Sequence, residues 1–378
     1  MRIGIFTDTF TPQINGVVTS INILKKELIN KGHEVFVFAP RIPGYFDITP
    51  NIFRFPSLPF IFLPEHRLSW SSAALMKNFE KLGLEIIHSQ TPFFVGWLAA
   101  RLSKKYRIPH IHTYHTFFEK YGHYILMPEK LNRFVTKYVS HRFCNQAQLV
   151  IAPSRDMLGI LKTYGFKTPL VEISTGIDLE DFPRQPDPVV MRKLGLAEGR
   201  QYLVYAGRLA EEKNLDFLLA AFARIAPEFP QVDFLIIGSG PKKGHLQHLA
   251  EKRGLSGRII FTGYLQREEV LQCFKFCRLF VFASLTETQG MVILEAMTAG
   301  LPVVALKAMG IGEIMGDNRG GFLTKNNLED FCEKIRLLLL NDGCWRAKST
   351  EAQKVAARFS ASWLVDRVIE CYRKYQVV

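Results

Sequence analysis

Short apolar runs ending in Gly, Ser or Thr recur along this chain, separated by stretches with helical periodicity. In the first half they are RIGIFTD, EVFVFAP, LEIIHSQ, PHIHTYH and LVIAPS. In the second they are YLVYAGRL, DFLIIGSG, RIIFTGY, LFVFASL and PVVAL. Continuous β-branched and aromatic runs of this kind require parallel strands buried on both faces by helices. The expected fold class is α/β, with two doubly wound, Rossmann-like domains facing each other across a cleft. A length of 378 residues exceeds one ordinary core and suits two. The boundary is expected within 172–188, where EISTGIDLEDFPRQPDPV gathers Pro, Asp and Gly, giving domains over 1–175 and 184–358. Ligands of such sheets bind beyond the carboxyl ends of the strands.

Hydrophobic residues make up 48% and charged residues 22%, the balance of a folded globular chain. The net charge of +13 suits an acidic partner: nucleic acid, an anionic membrane surface or an anionic small substrate. Residues 101–171 hold twelve Lys/Arg against three Asp/Glu, which concentrates the excess in one region. The six cysteines are scattered without a CxxC pair and are expected to be reduced core thiols of a cytoplasmic protein. A metal at Cys273 and Cys277, one helical turn apart, is a remote alternative. The chain opens on a strand rather than a secretory signal, and no apolar run reaches the length of a membrane span.

Four segments carry chemistry. In TETQGMVILEAMTAG, strand 279–284 leads into a helix expected near Gln289. The free backbone N–H groups of Gln289, Gly290 and Met291 would favour a phosphate, and Glu287 and Glu295 would accept hydrogen bonds from sugar hydroxyls. Read singly, the two glutamates are more ordinary: a carboxylate at a helix start and a solvated helix residue. In AGRLAEEKN, Arg208 and Lys213 suit a diphosphate, the alternative being a surface ion-pair cluster with Glu211 and Glu212. In FTDTFTPQINGVVTSINIL, Gly16 allows close backbone approach to a ligand, and the lack of GxGxxG there argues against a dinucleotide oxidoreductase. In HIHTYHTFFEKYGHY, His115 ends a strand where an acceptor would sit, whereas His110 and His112 share one strand face and no thiol or carboxylate completes a metal set.

Two further segments suggest an interface. Segment 52–64, IFRFPSLPFIFLP, makes a poor helix and a plausible apolar lip that includes Phe60 and Phe62. Segment 127–143 is expected to be a helix with Pro128 at its first position. Its apolar stripe of Leu131, Phe134, Val135, Tyr138, Val139 and Phe143 runs beside a basic stripe of Lys130, Arg133, Lys137 and His141. That pattern fits a helix lying on anionic lipid, the alternative being a core-packed helix with a solvated basic face.

Together, FTDTFTPQINGV, TYHT, STGID, GRLAEEKN and the E-x7-E pair Glu287/Glu295 resemble glycosyltransferase family 4, of GT-B fold, over essentially the whole chain. TYHTFFEKYGHY and TETQG are most similar to bacterial diacylglycerol glucosyltransferases. The resemblance implies that Arg208 and Lys213 neutralise the diphosphate of a sugar nucleotide. It implies Glu287 on the donor sugar, Glu295 on the ribose, Gly290 and Met291 as backbone donors, and Tyr264 near the base. His115 would border the acceptor and transferred sugar, Gly16 would pass near the phosphates, and a C-terminal helix over 360–378 would pack back on the first domain. The implied reaction is retaining transfer of a hexose, expected to be glucose from a UDP-sugar, to diacylglycerol at the membrane surface. No D-x-D occurs, so no metal site of that kind and no tightly bound cofactor is expected; a need for Mg²⁺ is left open.

Three alternatives remain at this stage. A family 4 enzyme could use a soluble sugar or sugar phosphate as acceptor. A glycoside hydrolase needs carboxyls on opposite sides of the scissile bond, which one loop-helix unit does not readily supply. A nucleic-acid partner lacks any supporting motif.

Overall fold

The computed structural model describes residues 1–59, 67–70, 77, 79–119, 128–183 and 185–376. Phe60 and Phe62 therefore lie outside the described residues, as does segment 120–127. The chain divides into one unit of Met1–Gly176 with Ala361–Val378, and a second of Ile177–Ser360.

In the first unit the strands are β1 (Arg2–Phe6), β2 (Glu34–Pro40), β3 (Ile52–Phe55), β4 (Ser57–Pro59), β5 (Arg67–Ser69), β6 (Ile86–Ser89), β7 (His110–Thr113), β8 (Leu149–Ala152) and β9 (Leu170–Glu172). The main sheet is parallel with order β3-β2-β1-β6-β7-β8-β9, and β4 pairs antiparallel with β5. Its helices are α1 (Gly16–Asn30), α2 (Phe94–Tyr106), α3 (Glu129–Cys144) and α4 (Arg155–Lys162), with the C-terminal helix Ala361–Tyr375 added to them. Strands β1, β2 and β6 are buried almost throughout, which is why they read as unbroken apolar runs rather than alternating ones. Phe6 stacks on Phe38 at 4.3 Å, and Phe38 on Phe53 at 5.0 Å. Offset aromatic pairs of this sort contribute about 0.5–1.5 kcal/mol each beyond their burial.

The apolar lip needs correction at its start. Residues 52–55 are the edge strand β3, paired with Val37–Pro40, and Phe55 is fully buried. In IFRF the aromatics Phe53 and Phe55 fall on one face of a pleated edge strand, and Pro56 ends it.

Helix α3 begins at Glu129, with Pro128 as its cap rather than its first residue. The side turned inward carries Asn132, Ser140, Phe143 and Cys144, with Asn132 donating to Glu119 O at 2.7 Å and Tyr114 Oη 2.8 Å from Ser140 Oγ. Leu131, Phe134 and Tyr138 are half or more exposed, at 50%, 68% and 53%. The stripe divides: Phe143 is buried against Trp97, His110 and His112 and holds the helix to the sheet together with the polar partners, whereas Leu131, Phe134 and Tyr138 are exposed.

The C-terminal helix buries Leu364, Val365, Val368, Ile369 and Tyr372. Tyr372 Oη lies 2.6 Å from His88 Nδ1 at the end of β6, and Lys31 at the end of α1 pairs with Asp366 at 2.8 Å.

At the start of α2, Asp8 is buried just beyond β1 and accepts from Val95 N at 2.9 Å and Thr91 Oγ1 at 2.6 Å. It thus caps a helix far away in sequence, satisfying donors that α2 cannot pair itself. The same turn leaves no room for a side chain at Gly96, whose Cβ would stand 1.9 Å from Thr91 O. Gly96→Ala is expected to cost about 3 kcal/mol in urea unfolding, the upper end for overpacking, since the obstacle is backbone. Gly159→Ala on α4, where nothing lies within 4 Å, is the control and should be neutral or stabilising.

In the second unit the strands are β10 (Gln201–Ala206), β11 (Val232–Ile237), β12 (Ile259–Gly263), β13 (Leu279–Phe282), β14 (Val303–Leu306) and β15 (Gly321–Thr324). They form a parallel sheet of order β12-β11-β10-β13-β14-β15. Its helices are α5 (Pro188–Lys193), α6 (Leu215–Ile225), α7 (Lys243–Lys252), α8 (Arg267–Phe276), α9 (Met291–Thr298), α10 (Ile311–Met315), α11 (Leu328–Leu340) and α12 (Asp342–Ala357). In both sheets the chain reverses its direction of winding next to the first strand, between β1 and β6 and between β10 and β13. Those switch points are where open α/β sheets leave a crevice for ligands.

All six cysteines are free thiols, and burial pushes the Cys273 thiol up to about 12. No described helix is long and apolar enough to cross a membrane.

Candidate functional site

In the second unit the motif residues flank the β10/β13 switch point. Beyond β10, Tyr205 Oη donates to Arg208 O at 3.0 Å, and Glu211–Lys213 form a 3-10 turn ended by Asn214 in a left-handed conformation, φ 54°. Two bonds tie this turn to the loop after β13: Asn214 Nδ2 to Ala283 O at 3.4 Å and Ser284 Oγ to Glu212 O at 3.3 Å. They bring Lys213 Nζ to 2.5 Å from Glu287 Oε1, a pair with both side chains more than four-fifths buried. Of the acidic residues offered as surface partners, Glu211 pairs instead with Lys242.

The helix after β13 begins at Met291, two residues later than the expected Gln289. Gly290 is the cause: at φ 85° and ψ 48° it turns the chain through a left-handed conformation that glycine adopts without penalty, and α9 starts from there. Gln289 is buried, and Met291 is half-buried at the positive helix end. One turn into α9, Glu295 is buried and ion-paired with Arg267, the first residue of α8. It is therefore not the solvated helix residue of the plainer reading. Tyr264, just past β12, is 59% exposed.

In the first unit the corresponding region lies beyond β1, β6 and β7. His115 Nε2 is 2.7 Å from Gln90 Oε1, and desolvation lowers the His115 pKa to about 4, so the ring is neutral near pH 7. Gln90 is itself buried. A cavity beneath the pair is lined by His88, Thr113, Ser20, Thr175 and the apolar face of the C-terminal helix. His110 and His112 are committed to Ser89, whose Oγ lies 2.7 Å from His110 Nε2 and 2.9 Å from His112 Nδ1. Among the described residues no group of three or more His, Cys, Asp or Glu is placed to hold a metal. Gly16 opens α1 with nothing within 4 Å of the position a Cβ would take. Asn15 before it caps the helix, accepting from Val18 N at 3.0 Å.

On α3, Lys130 is exposed, Arg133 pairs with Glu119 at 3.4 Å, and Lys137 Nζ sits 5.5 Å from the Tyr164 ring centroid. The basic stripe is thus partly engaged by the protein itself.

Sequence reasoning missed three residues. Asp8 and Gln90 follow β1 and β6 directly, so the rule that ligands gather at strand ends would have flagged both. Arg267 meets Glu295 only through the tertiary fold, and no local pattern signals it.

Two doubly wound parallel-sheet units carry polar residues gathered at their strand ends, and known proteins share this architecture. Residues 14–181 match the profile of Glycosyltransferase Family 4, and residues 187–358 that of Glycosyl transferases group 1. An alpha-monoglucosyldiacylglycerol synthase of Streptococcus pneumoniae is 35% identical over 332 residues, 85% of this chain and 75% of that protein. One from Acholeplasma laidlawii is 30% identical, covering 87% and 86%. Among solved structures, sucrose-phosphate synthase from Thermosynechococcus elongatus superposes with TM-score 0.82 at 20% identity, over 99% and 98% of the two chains. Anabaena HepE in complex with UDP and glucose gives 0.79 at 21%, over 99% and 100%. The fold is that of the GT-B glycosyltransferases. The chain belongs to glycosyltransferase family 4.

Proposed function

We propose that this protein is a retaining hexosyltransferase that moves glucose from a UDP-sugar to diacylglycerol at an anionic membrane surface. The observation that carries the reading is the Lys213–Glu287 pair at the start of α9, with Glu295 one turn beyond, in a chain 35% identical to an alpha-monoglucosyldiacylglycerol synthase. In this reading Arg208 and Lys213 take the donor diphosphate, aided by the backbone N–H groups of Gln289, Gly290 and Met291 at a positive helix end. Glu287 accepts hydroxyls of the sugar, Glu295 those of the ribose, and Tyr264 lies along the base. Gly16 gives the first unit an unobstructed backbone near the phosphates. His115, neutral and held by Gln90, borders the acceptor.

No protein nucleophile is required. The acceptor hydroxyl attacks the anomeric carbon from the face the phosphate leaves, the C–O bond to phosphate breaks, and the departing phosphate oxygen takes the hydroxyl proton. The protein positions the two reactants and stabilises the developing phosphate charge. A glycosidase reading is disfavoured because Glu287 is paired with Lys213 and Glu295 with Arg267, which suits neither as a general acid.

The lipid acceptor is supported by α3. Its exposed Leu131, Phe134 and Tyr138 beside Lys130, Arg133 and Lys137 match a helix that seats aromatics in the interface and basic groups on anionic headgroups. Lys130→Glu with Phe134→Ser is expected to weaken binding to anionic vesicles at least about tenfold at low salt while leaving affinity for UDP unchanged. Co-sedimentation with vesicles checks this, and unchanged partitioning would remove α3 from the lipid argument. The same variant should retain transfer to a short-chain, water-dispersed diacylglycerol.

A further inference from the structure

We infer that Arg267 is a positioning residue of the donor site, holding Glu295 in the orientation that reads the ribose hydroxyls. The inference rests on the donor-site reading above and extends it to a residue on a different helix. Glu295 is the only partner of the Arg267 side chain among the described residues, and Arg267 the only partner of the Glu295 side chain. A carboxylate on a helix can swing about three side-chain torsions, and a buried one without a partner would be costly to keep charged. The guanidinium removes both problems: one N–H fixes one carboxylate oxygen and leaves the other for a ligand, while its charge balances that of Glu295 beside an anionic diphosphate.

Arg267 is itself firmly based. It opens α8 inside a capping box in which Gln266 N donates to Glu269 Oε2 at 3.0 Å, so its backbone is set by the helix start rather than by a loose loop. Its Nη2 is buried and has no partner among the described residues. A guanidinium N–H left unmatched in this way marks a place where an acceptor atom of a ligand completes the set. Only three residues earlier, Tyr264 presents its exposed ring. Aromatic ring, guanidinium and carboxylate together recognise a nucleoside: a flat base with carbonyl oxygens on a ribose that carries a vicinal diol.

Equilibrium binding of UDP, GDP and their 2′,3′-dideoxy forms to the full chain tests this. The unmodified protein should bind its preferred ribonucleotide at least about tenfold more tightly than the dideoxy form, as expected for hydrogen bonds to a charged group. Arg267→Ala should compress that ratio to within about threefold, by weakening the ribonucleotide and sparing the dideoxy form, and Glu295→Ala should do the same. Arg267→Lys should fall between, because it keeps the charge and loses the fork. A ratio unchanged in Arg267→Ala, whether both ligands weaken together or neither does, overturns the proposal. Should the alanine variant not fold, Arg267→Gln serves in its place: a compressed ratio supports the proposal and an unchanged one overturns it. An unmodified protein that binds a nucleoside diphosphate without preferring the hydroxyls would remove Glu295 from the ribose, and Arg267 with it. One that binds no nucleoside diphosphate at all would instead defeat the donor-site reading itself.

Discussion

Glu287→Ala and Lys213→Ala should each lower the turnover of sugar transfer by at least about two orders of magnitude, the loss typical of removing one preorganised electrostatic contact from an active site. The two side chains meet at 2.5 Å in a setting that excludes most water, so each is held ready by the other before any ligand binds. Deleting either takes the facing opposite charge away from a largely buried side chain. On the proposed donor site the consequences differ: without Lys213 the leaving diphosphate loses a cation, and without Glu287 the hydroxyls of the donor sugar lose a hydrogen-bond acceptor. Because the residues act as a unit, the double variant should be little slower than either single one. Glu287→Gln keeps the shape and removes only the charge, so a comparable loss in that variant would separate electrostatics from packing. Steady-state kinetics at saturating donor, with thermal unfolding as a check on folding, would measure all four. Near-normal rates in both alanine variants would dismantle the donor site as assigned.

Acid should unfold the first unit over a narrow range. Burial lowers the pKa of His88 to about 3 and of His110 to about 4, and places His112 well below its ordinary 6.5. Each ring is neutral in the folded chain and protonates readily once unfolded. The stability they confer is complete above about pH 6.5 and is lost as pH falls below it, at up to about 1.4 kcal/mol per pH unit for each ring. Asp8 works in the other direction. Burial raises its pKa to about 6, so the folded chain holds a proton there that the unfolded chain has released, and acidification through pH 6 returns some stability. His115, lowered to about 4, adds a fourth ring, so four histidines against one aspartate leave a net loss on the order of several kcal/mol by pH 5, comparable to the whole stability of many domains. Near-ultraviolet circular dichroism from pH 7.5 to 4.5 should show the melting temperature falling steeply below pH 6.5. A flat profile would mean that these rings are solvated or charged in the folded chain.

Much of this architecture was legible because parallel strands buried on both faces leave an unbroken apolar trace. β2 and β11 could be read without ambiguity for that reason. Of the four edge strands of the two main sheets, only β12 was read, in RIIFTGY. β3, β9 and β15 run only three or four residues, and the half-exposed sides of β3 and β9 weaken the apolar signal. Site residues divided in a similar way. Glu287, Gly290 and Glu295 stood out because one strand-loop-helix segment carries them all, and Arg208 with Lys213 because they share one turn. Asp8, Gln90 and Arg267 stayed hidden because their meaning depends on partners 87, 25 and 28 positions away. Helix α3 shows the limit of periodicity most clearly. Its stripe was visible, but periodicity did not show that it divides, with Phe143 packed inward beside Asn132 and Ser140 while Leu131, Phe134 and Tyr138 stay exposed.

The central claim is the reaction itself, and one incubation tests it. The purified protein is mixed with vesicles of diacylglycerol and anionic lipid and with UDP-glucose, alongside GDP-mannose and a soluble sugar acceptor. Products are read by mass spectrometry and the new linkage by proton NMR. The expected product is a monohexosyl-diacylglycerol with the α configuration of the donor, formed together with UDP. Transfer to the soluble sugar with no glycolipid, a β-linked product, or release of free glucose alone would contradict it.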